Sequence, residues 1–267
     1  MKLLQHLPLL CVVLFICSCV SFRARTPDDA HDMYHVVDGH RMHISVQGEG
    51  VPVVFSAGAG VKDPRAGFSA VTALLSTRAM AVVFDRPGFG KSDSTTAPRD
   101  ADTMARELDE LLREAGIAFP IVLVGHSIGS FDVLRYAQMY PAKVRAVVLL
   151  DGTPPAWVLD TFGGPPKTLV DYVARGLAPR DLLDEMLAYK ANARRIAEAG
   201  SIGEIPLTHL YASTRDEDWN RYQALYEQMS LQPRGVPTND AEHYIHKQVP
   251  QLVVDEIVRL LAPTPAG

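Results

Sequence analysis

The stretch 121–134, IVLVGHSIGSFDVL, sets Ser127 two residues after Gly125 and two before Gly129. Four apolar residues lead into Gly125, and a new apolar pattern follows Gly129. A serine hydroxyl in an ordinary loop is a weak nucleophile. At a tight strand-to-helix turn it is better placed. The flanking glycines allow close backbone approach, and strain lifts the hydroxyl clear of its own backbone. The first N–H groups of the next helix favour negative charge at the same spot. Gly-x-Ser-x-Gly in this setting is the nucleophile elbow, and acyl transfer is the chemistry it serves. Such a serine needs a base and backbone donors for an oxyanion. Among nine histidines, most of those near the N-terminus fall in a leader, a tether or a hairpin, and His126 sits inside the elbow, directed away from the serine. Near the C-terminus, EHYIHKQVPQLVVDEI offers His243 and His246.

The elements that must position these residues alternate in type. Segments 33–37 and 41–46 flank Asp38-Gly39, a hairpin turn signal. Apolar strands are expected at 51–55, 79–84, 121–125, 144–150 and 206–211. Their continuous β-branched runs fit a parallel sheet buried on both faces. Helical patterns occupy 103–116, 130–141, 219–229 and 249–262, the first capped by Asp102 or Thr103 and ended by Gly116. This alternation predicts an α/β fold with a mostly parallel sheet flanked by helices. Open sheets of this kind bind ligands outside the carboxyl ends of their strands, where Ser127 falls. The stretch GVPTND reads as a poor eighth strand, with Pro237 inside it.

The chain has 267 residues, 47% hydrophobic and 21% charged, with a formal net charge of −5. That balance excludes the basic face nucleic acid requires. No metal-ligand cluster or phosphate loop is visible, and no cofactor is implied. Residues 1–18 read as a signal peptide, with one lysine before an apolar run shorter than a membrane span. All three cysteines lie at positions 11, 17 and 19. The segment ICSC resembles a bacterial lipobox, with Cys19 as the lipidated residue and Cys17 atypical within it. The expectation is a lipoprotein of the bacterial cell envelope, anchored to the membrane through that lipid; the alternative is an ordinary secretory signal and a soluble periplasmic or secreted protein. Residues 19–32 read as a tether, 33–151 and 205–267 as the core, and 152–204 as an insertion after the sixth strand.

Three motifs carry a wider resemblance: GHSIG at the elbow, DRPGFGKSD after the fourth strand, and HYIH near the end. Over roughly 33–262 the chain resembles the α/β-hydrolase superfamily, closest to small bacterial serine hydrolases. The resemblance puts His243 at the catalytic place, with Glu242 where glycine is usual. It assigns the backbone N–H groups of Ala59 and Ile128, in SAGAG and after Ser127, to an oxyanion hole, although Ala57 replaces a usual histidine. It reads the 152–204 insertion as a helical cap, with Trp157, Phe162 and Met186 as candidates for an apolar acyl pocket. In its helical stretch Leu182, Leu183, Met186, Leu187 and Tyr189 are expected on one apolar side. Asp85 and Arg86 are expected to hold their loop by ion pairing. The acid stays open between Asp151, at the end of the sixth strand, and Asp216, after the seventh, where an aspartate also suits a helix cap. The family pattern tips the choice to Asp151, with Asp216 as the alternative. The implied function is carboxylic ester hydrolysis of a small-molecule acyl substrate. Amidase, peptidase or lactonase chemistry on the same residues, or a catalytically degenerate envelope binding protein, are the alternatives.

Overall fold

The computed structural model describes residues 30–262. Cys19, the signal segment and most of the tether lie outside that range. The tether's last residues do not: β1 (His31–Val37) already begins within it. After β1 come β2 (His40–Gln47), β3 (Pro52–Ser56), α1 (Pro64–Leu75), β4 (Met80–Phe84), α2 (Ala101–Glu114), β5 (Ile121–His126), α3 (Gly129–Met139) and β6 (Val144–Leu150). Three helices follow, α4 (Pro155–Thr161), α5 (Lys167–Ala174) and α6 (Arg180–Ala199). The chain then runs through β7 (Leu207–Ala212), α7 (Glu217–Ala224), β8 (Pro233–Thr238), α8 (Ile245–Gln248) and α9 (Pro250–Leu261).

The eight strands form one sheet in the order β1-β2-β4-β3-β5-β6-β7-β8. The β1–β2 and β2–β4 pairs are antiparallel and the rest are parallel. The β1–β2 turn uses positive φ at both Asp38 (45°) and Gly39 (82°), the geometry that matches strand twist. Along β6, Val147 and Leu149 face one core, while Ala146, Val148 and Leu150 face the other. β5 divides the same way, Ile121 and Leu123 against Val122 and Val124. This two-residue period buries both faces of each strand, and so the runs are apolar throughout. One layer holds α2, α3 and part of α6; the other holds α1 and α9.

β3 lies between β4 and β5. The chain leaves β3 toward one side and later returns to its other side, so the strand order reverses here. At such a point the loops after neighbouring strands diverge and leave a crevice. Ser56, at the end of β3, is level with Gly125 of β5. The loops carrying Ala59 and Ser127 therefore leave the sheet side by side.

Several local expectations are corrected. α2 is capped by Asp100, whose carboxylate accepts from Thr103 N at 3.0 Å, not by Asp102 or Thr103. α1 was not anticipated, although Asp63 caps it, Pro64 opens it and Phe68, Val71, Thr72 and Leu75 form its buried stripe. Among the described residues β8 is an edge strand paired to β7 alone, and an edge tolerates Pro237. Leu187 is exposed. The buried face of α6 runs Asp181, Glu185, Tyr189, Asn192 and Ile196, and Leu187 lies about 200° around the helix from Glu185. Leu183 and Tyr189 are buried as expected; polar residues share the inward face, so an apolar criterion alone misplaced Leu187.

Candidate active site

Ser127 has φ of +54° and is not glycine, a conformation that costs energy and persists only where its surroundings impose it. Its neighbours do impose it. A Cβ at Gly125 would stand 2.7 Å from the carbonyl oxygen of Gly129, and one at Gly129 would stand 2.5 Å from that of Ser56. Any side chain at either position would push α3 off β5 or β3. Ser127 N–H donates to Leu150 O at 3.2 Å, and Ser127 O accepts from Ser130 N and Thr153 N, both at 3.1 Å. The turn is thus pinned to the end of β6, the loop after it and the first turn of α3.

Asp151 follows β6 with φ of +42°, a second strained residue, and its N–H donates to Leu210 O at 2.7 Å. The side chain is fully buried. Its Oδ2 lies 2.7 Å from His243 Nδ1 and accepts from Arg215 Nη1 at 2.9 Å. Its Oδ1 accepts from Trp219 Nε1 at 3.0 Å and Ala212 N at 3.2 Å. Burial alone would raise the pKa of this carboxyl, but the hydrogen bonds from His243, Trp219 and Ala212 outweigh it and hold it below the ordinary value. An ionised carboxylate only accepts, so His243 Nδ1 carries a proton and Nε2 is left as the basic nitrogen. The His243 ring is about one-third exposed (35%) on the cavity side.

His126 braces this imidazole. Its Nε2–H donates to His243 O at 3.0 Å and its ring lies 4.7 Å from the His243 ring. Burial first, then the neighbouring His246 and His243, lowers its pKa to about 3, so it stays neutral. His246 is on α8, buried against Phe68 and His126.

The structure brings Ser127, His243 and Asp151 together and leaves Asp216 apart. Asp216 caps α7, its carboxylate accepting from Trp219 N at 2.8 Å. Ala59, Ser127, Ile128 and His243 line one cavity of about 460 Å³. The N–H groups of Ala59 and Ile128 donate to no acceptor among the described residues. Trp157 and Phe162 from the α4 region and Met186 from α6 wall the same cavity. Thr153, Tyr189, Arg215 and Trp219 join them, and these four were not picked out from the sequence as site residues. Trp157 meets Trp219 edge-on at 5.7 Å, and the Arg215 guanidinium lies 3.8 Å above the Trp219 ring. Nothing in local sequence marks Trp219 as a partner of Asp151, 68 positions away.

Asp85 and Arg86 do not pair with each other. Asp85 accepts from Lys91 N at 2.8 Å and meets His43 Nδ1 at 2.8 Å. Arg86 points the other way, to Glu185 of α6.

The chain belongs to the alpha/beta hydrolase fold family, whose model matches residues 53–237. It is 30% identical over 130 residues to the uncharacterized protein YbdG of Bacillus subtilis (strain 168), a match covering 48% of this chain and only 40% of YbdG. It is 24% identical over 244 residues to YqjL of the same bacterium, covering 82% of this chain and 87% of that protein. Among solved structures, Cfl2 from Burkholderia cenocepacia has the same fold, with a TM-score of 0.69 at 20% identity over 87% of this chain and 96% of that one.

Proposed function

We propose that this protein is a serine hydrolase that cleaves carboxylic esters through an acyl-enzyme. The observation that carries the reading is the strained Ser127 sharing a cavity with a histidine whose Nδ1 is fixed, at 2.7 Å, by a buried aspartate. Ser127 Oγ attacks the acyl carbon and His243 Nε2 takes its proton. The oxyanion that forms lies against the N–H groups of Ala59 and Ile128, donors worth about 3–4 kcal/mol each in sites of this type. The C–O bond to the alcohol breaks as His243 returns the proton to the leaving oxygen. Water, deprotonated by His243, then attacks the acyl carbon and frees Ser127. Asp151 keeps the imidazole in the right tautomer and offsets its charge when protonated.

The two departures from the family pattern do not argue for a degenerate site. Ala57 is buried behind the loop with its carbonyl bound by Arg86, and Glu242 is exposed with its N–H on Gln248 Oε1. Neither is among the residues that line the cavity. Amide and lactone substrates use the same steps. The test is a fluorophosphonate probe with a panel of p-nitrophenyl esters. The expected result is labelling at Ser127 and turnover that Ser127→Ala abolishes. A wild type that neither labels nor turns over, or a Ser127→Ala variant that keeps most of the activity, overturns the reading.

We also propose that a lipid on Cys19 holds the enzyme at the cell envelope, a reading supported by the ICSC segment alone. Full-length protein that fractionates as wholly soluble, with no lipid on Cys19 by mass spectrometry, refutes it.

A further inference from the structure

Arg86 leaves the end of β4 and is buried, with three protein segments around its guanidinium. On one side Nη1 donates to Ala57 O at 2.5 Å and Nη2 to Gly58 O at 3.3 Å. On another, Nε and Nη2 form a fork with Glu185 of α6 at 2.8 and 3.2 Å. Asp132, in the first turn of α3, lies 3.4 Å from Nη1 and takes the Ser56 hydroxyl at 2.5 Å. Phe89 lies beneath, its ring centre 5.1 Å from the guanidinium carbon. Burial opposes the arginine's charge, but Glu185 and Asp132 outweigh that and raise its pKa above the ordinary value. A lysine offers no planar fork, so it could not hold two carbonyls and a carboxylate in these directions at once.

One peptide unit decides what this clamp does. The Gly58 carbonyl and the Ala59 N–H belong to the same peptide plane, which is trans, so they point in opposite directions. A guanidinium that draws the Gly58 oxygen back toward β4 turns the Ala59 N–H outward, toward the cavity Ala59 lines. Were this peptide to rotate, a carbonyl oxygen would face the developing oxyanion in place of a donor. We propose that Arg86 is the positioning residue of the oxyanion hole, fixing the direction of the Ala59 N–H, and that Glu185 extends this control to helix α6. The inference rests on the serine-hydrolase reading for its catalytic meaning. The orientation of the peptide stands apart from that reading.

The experiment combines kinetics with structure in two variants, Arg86→Lys and Glu185→Gln. In Arg86→Lys the expected loss in kcat is between about 10²-fold and about 10³-fold, the range for loss of one oxyanion donor, with KM nearly unchanged. A boronic acid, which forms a tetrahedral adduct with the serine, should lose affinity in parallel, while a neutral product analogue should not. A crystal structure of the same variant should show the Gly58–Ala59 peptide rotated. Glu185→Gln should move kcat and boronate affinity in the same direction by a smaller factor. It also serves as the variant of record if Arg86→Lys does not fold, because the arginine stays in place. A folded variant with the peptide unmoved and with wild-type kcat and boronate affinity overturns the proposal. A wild type inert to esters and fluorophosphonate, together with a rotated peptide in the variant, would sink the hydrolase reading and leave Arg86 as the positioning residue of this loop.

Discussion

Asp151 Oδ2 lies 2.7 Å from His243 Nδ1, across 92 positions of sequence, while Asp216 bonds no histidine among the described residues and instead caps α7. The two aspartates therefore carry separable roles. Asp151→Asn presents an amide where the imidazole needs an acceptor, and the equivalent change in a well-studied serine protease costs about 10⁴ in kcat. The expected result is a loss of that order. Asp216→Asn keeps a good cap and should leave kcat within about tenfold, a difference below about 1.4 kcal/mol. Asp216→Ala should lower stability by about 0.5–2 kcal/mol with the same kcat. Steady-state kinetics and urea denaturation on the three variants check this. The reverse ranking in kcat would move the triad to Asp216.

Trp219 Nε1 supplies one of the hydrogen bonds on Asp151, in a buried place. Trp219→Phe keeps a ring against Trp157 and Arg215 but removes the donor. A hydrogen bond to a charged group is worth about 1.5–3 kcal/mol, so a loss of that size is expected at neutral pH. The carboxyl's depressed pKa makes its contribution present above about pH 4 and lost as pH falls through the folded value. The gap between variant and wild type should therefore narrow below about pH 4. Hydrolysis should fall far less than in Asp151→Asn, since Ala212 and Arg215 still hold the carboxylate. A gap that stays constant with pH would mean the tryptophan acts by packing alone.

The elbow was legible because its signature is local: a β-branched strand, a serine between two glycines, and a helix start. The central strands were legible because they are buried on both faces and read as apolar runs. His243 and the choice of Asp151 came from likeness to a family, and their meeting is a product of tertiary structure. Arg86 shows the limit most clearly. Beside Asp85 it reads as half of a local ion pair, yet its partner Glu185 is 99 positions away, on a helix whose buried face is partly polar. Charge neighbours in sequence do not reveal which way two adjacent side chains leave a strand end. α1 was missed despite a legible cap, proline and apolar stripe, so there the signal was present and unused.

Trp157, Phe162 and Met186 form an apolar wall of the cavity, and Met186 is the most adaptable of them. Met186→Ala should enlarge the space beside Ser127. Each further methylene buried in an acyl chain is worth about 0.8 kcal/mol, or about fourfold in kcat/KM. The variant should shift its preference toward longer p-nitrophenyl esters by about that factor per carbon over one or two carbons, with acetate little changed. Identical chain-length profiles in wild type, Met186→Ala and Trp157→Ala would show that the acyl group binds elsewhere.

His246 gives the protein a pH-dependent stability. Burial first, then the neighbouring Lys247 and His243, lowers its pKa to about 3, and its Nδ1 has no hydrogen-bond partner among the described residues. In the unfolded chain the ring titrates near about 6.5. Between those values the unfolded chain binds a proton that the folded chain does not, so stability is full above about pH 6.5 and is lost as pH falls toward about 3. At pH 4.5 the ring accounts for a loss of about 2–3 kcal/mol, at about 1.4 kcal/mol per pH unit. His126 acts in the same direction. Asp132 opposes both: burial raises its carboxyl to about 6, so the folded state holds an extra proton between about pH 4 and 6 and gains stability on acidification there. The variant that isolates the histidine is His246→Phe, which keeps a ring 4.8 Å from Phe68 and removes an unpartnered nitrogen. Its urea midpoint should fall less than that of the wild type between pH 7 and pH 4.5, by an amount equal to about 2 kcal/mol. If both proteins lose the same stability over that range, the imidazole is already charged in the folded state, and the neutral cluster around His126 is wrong.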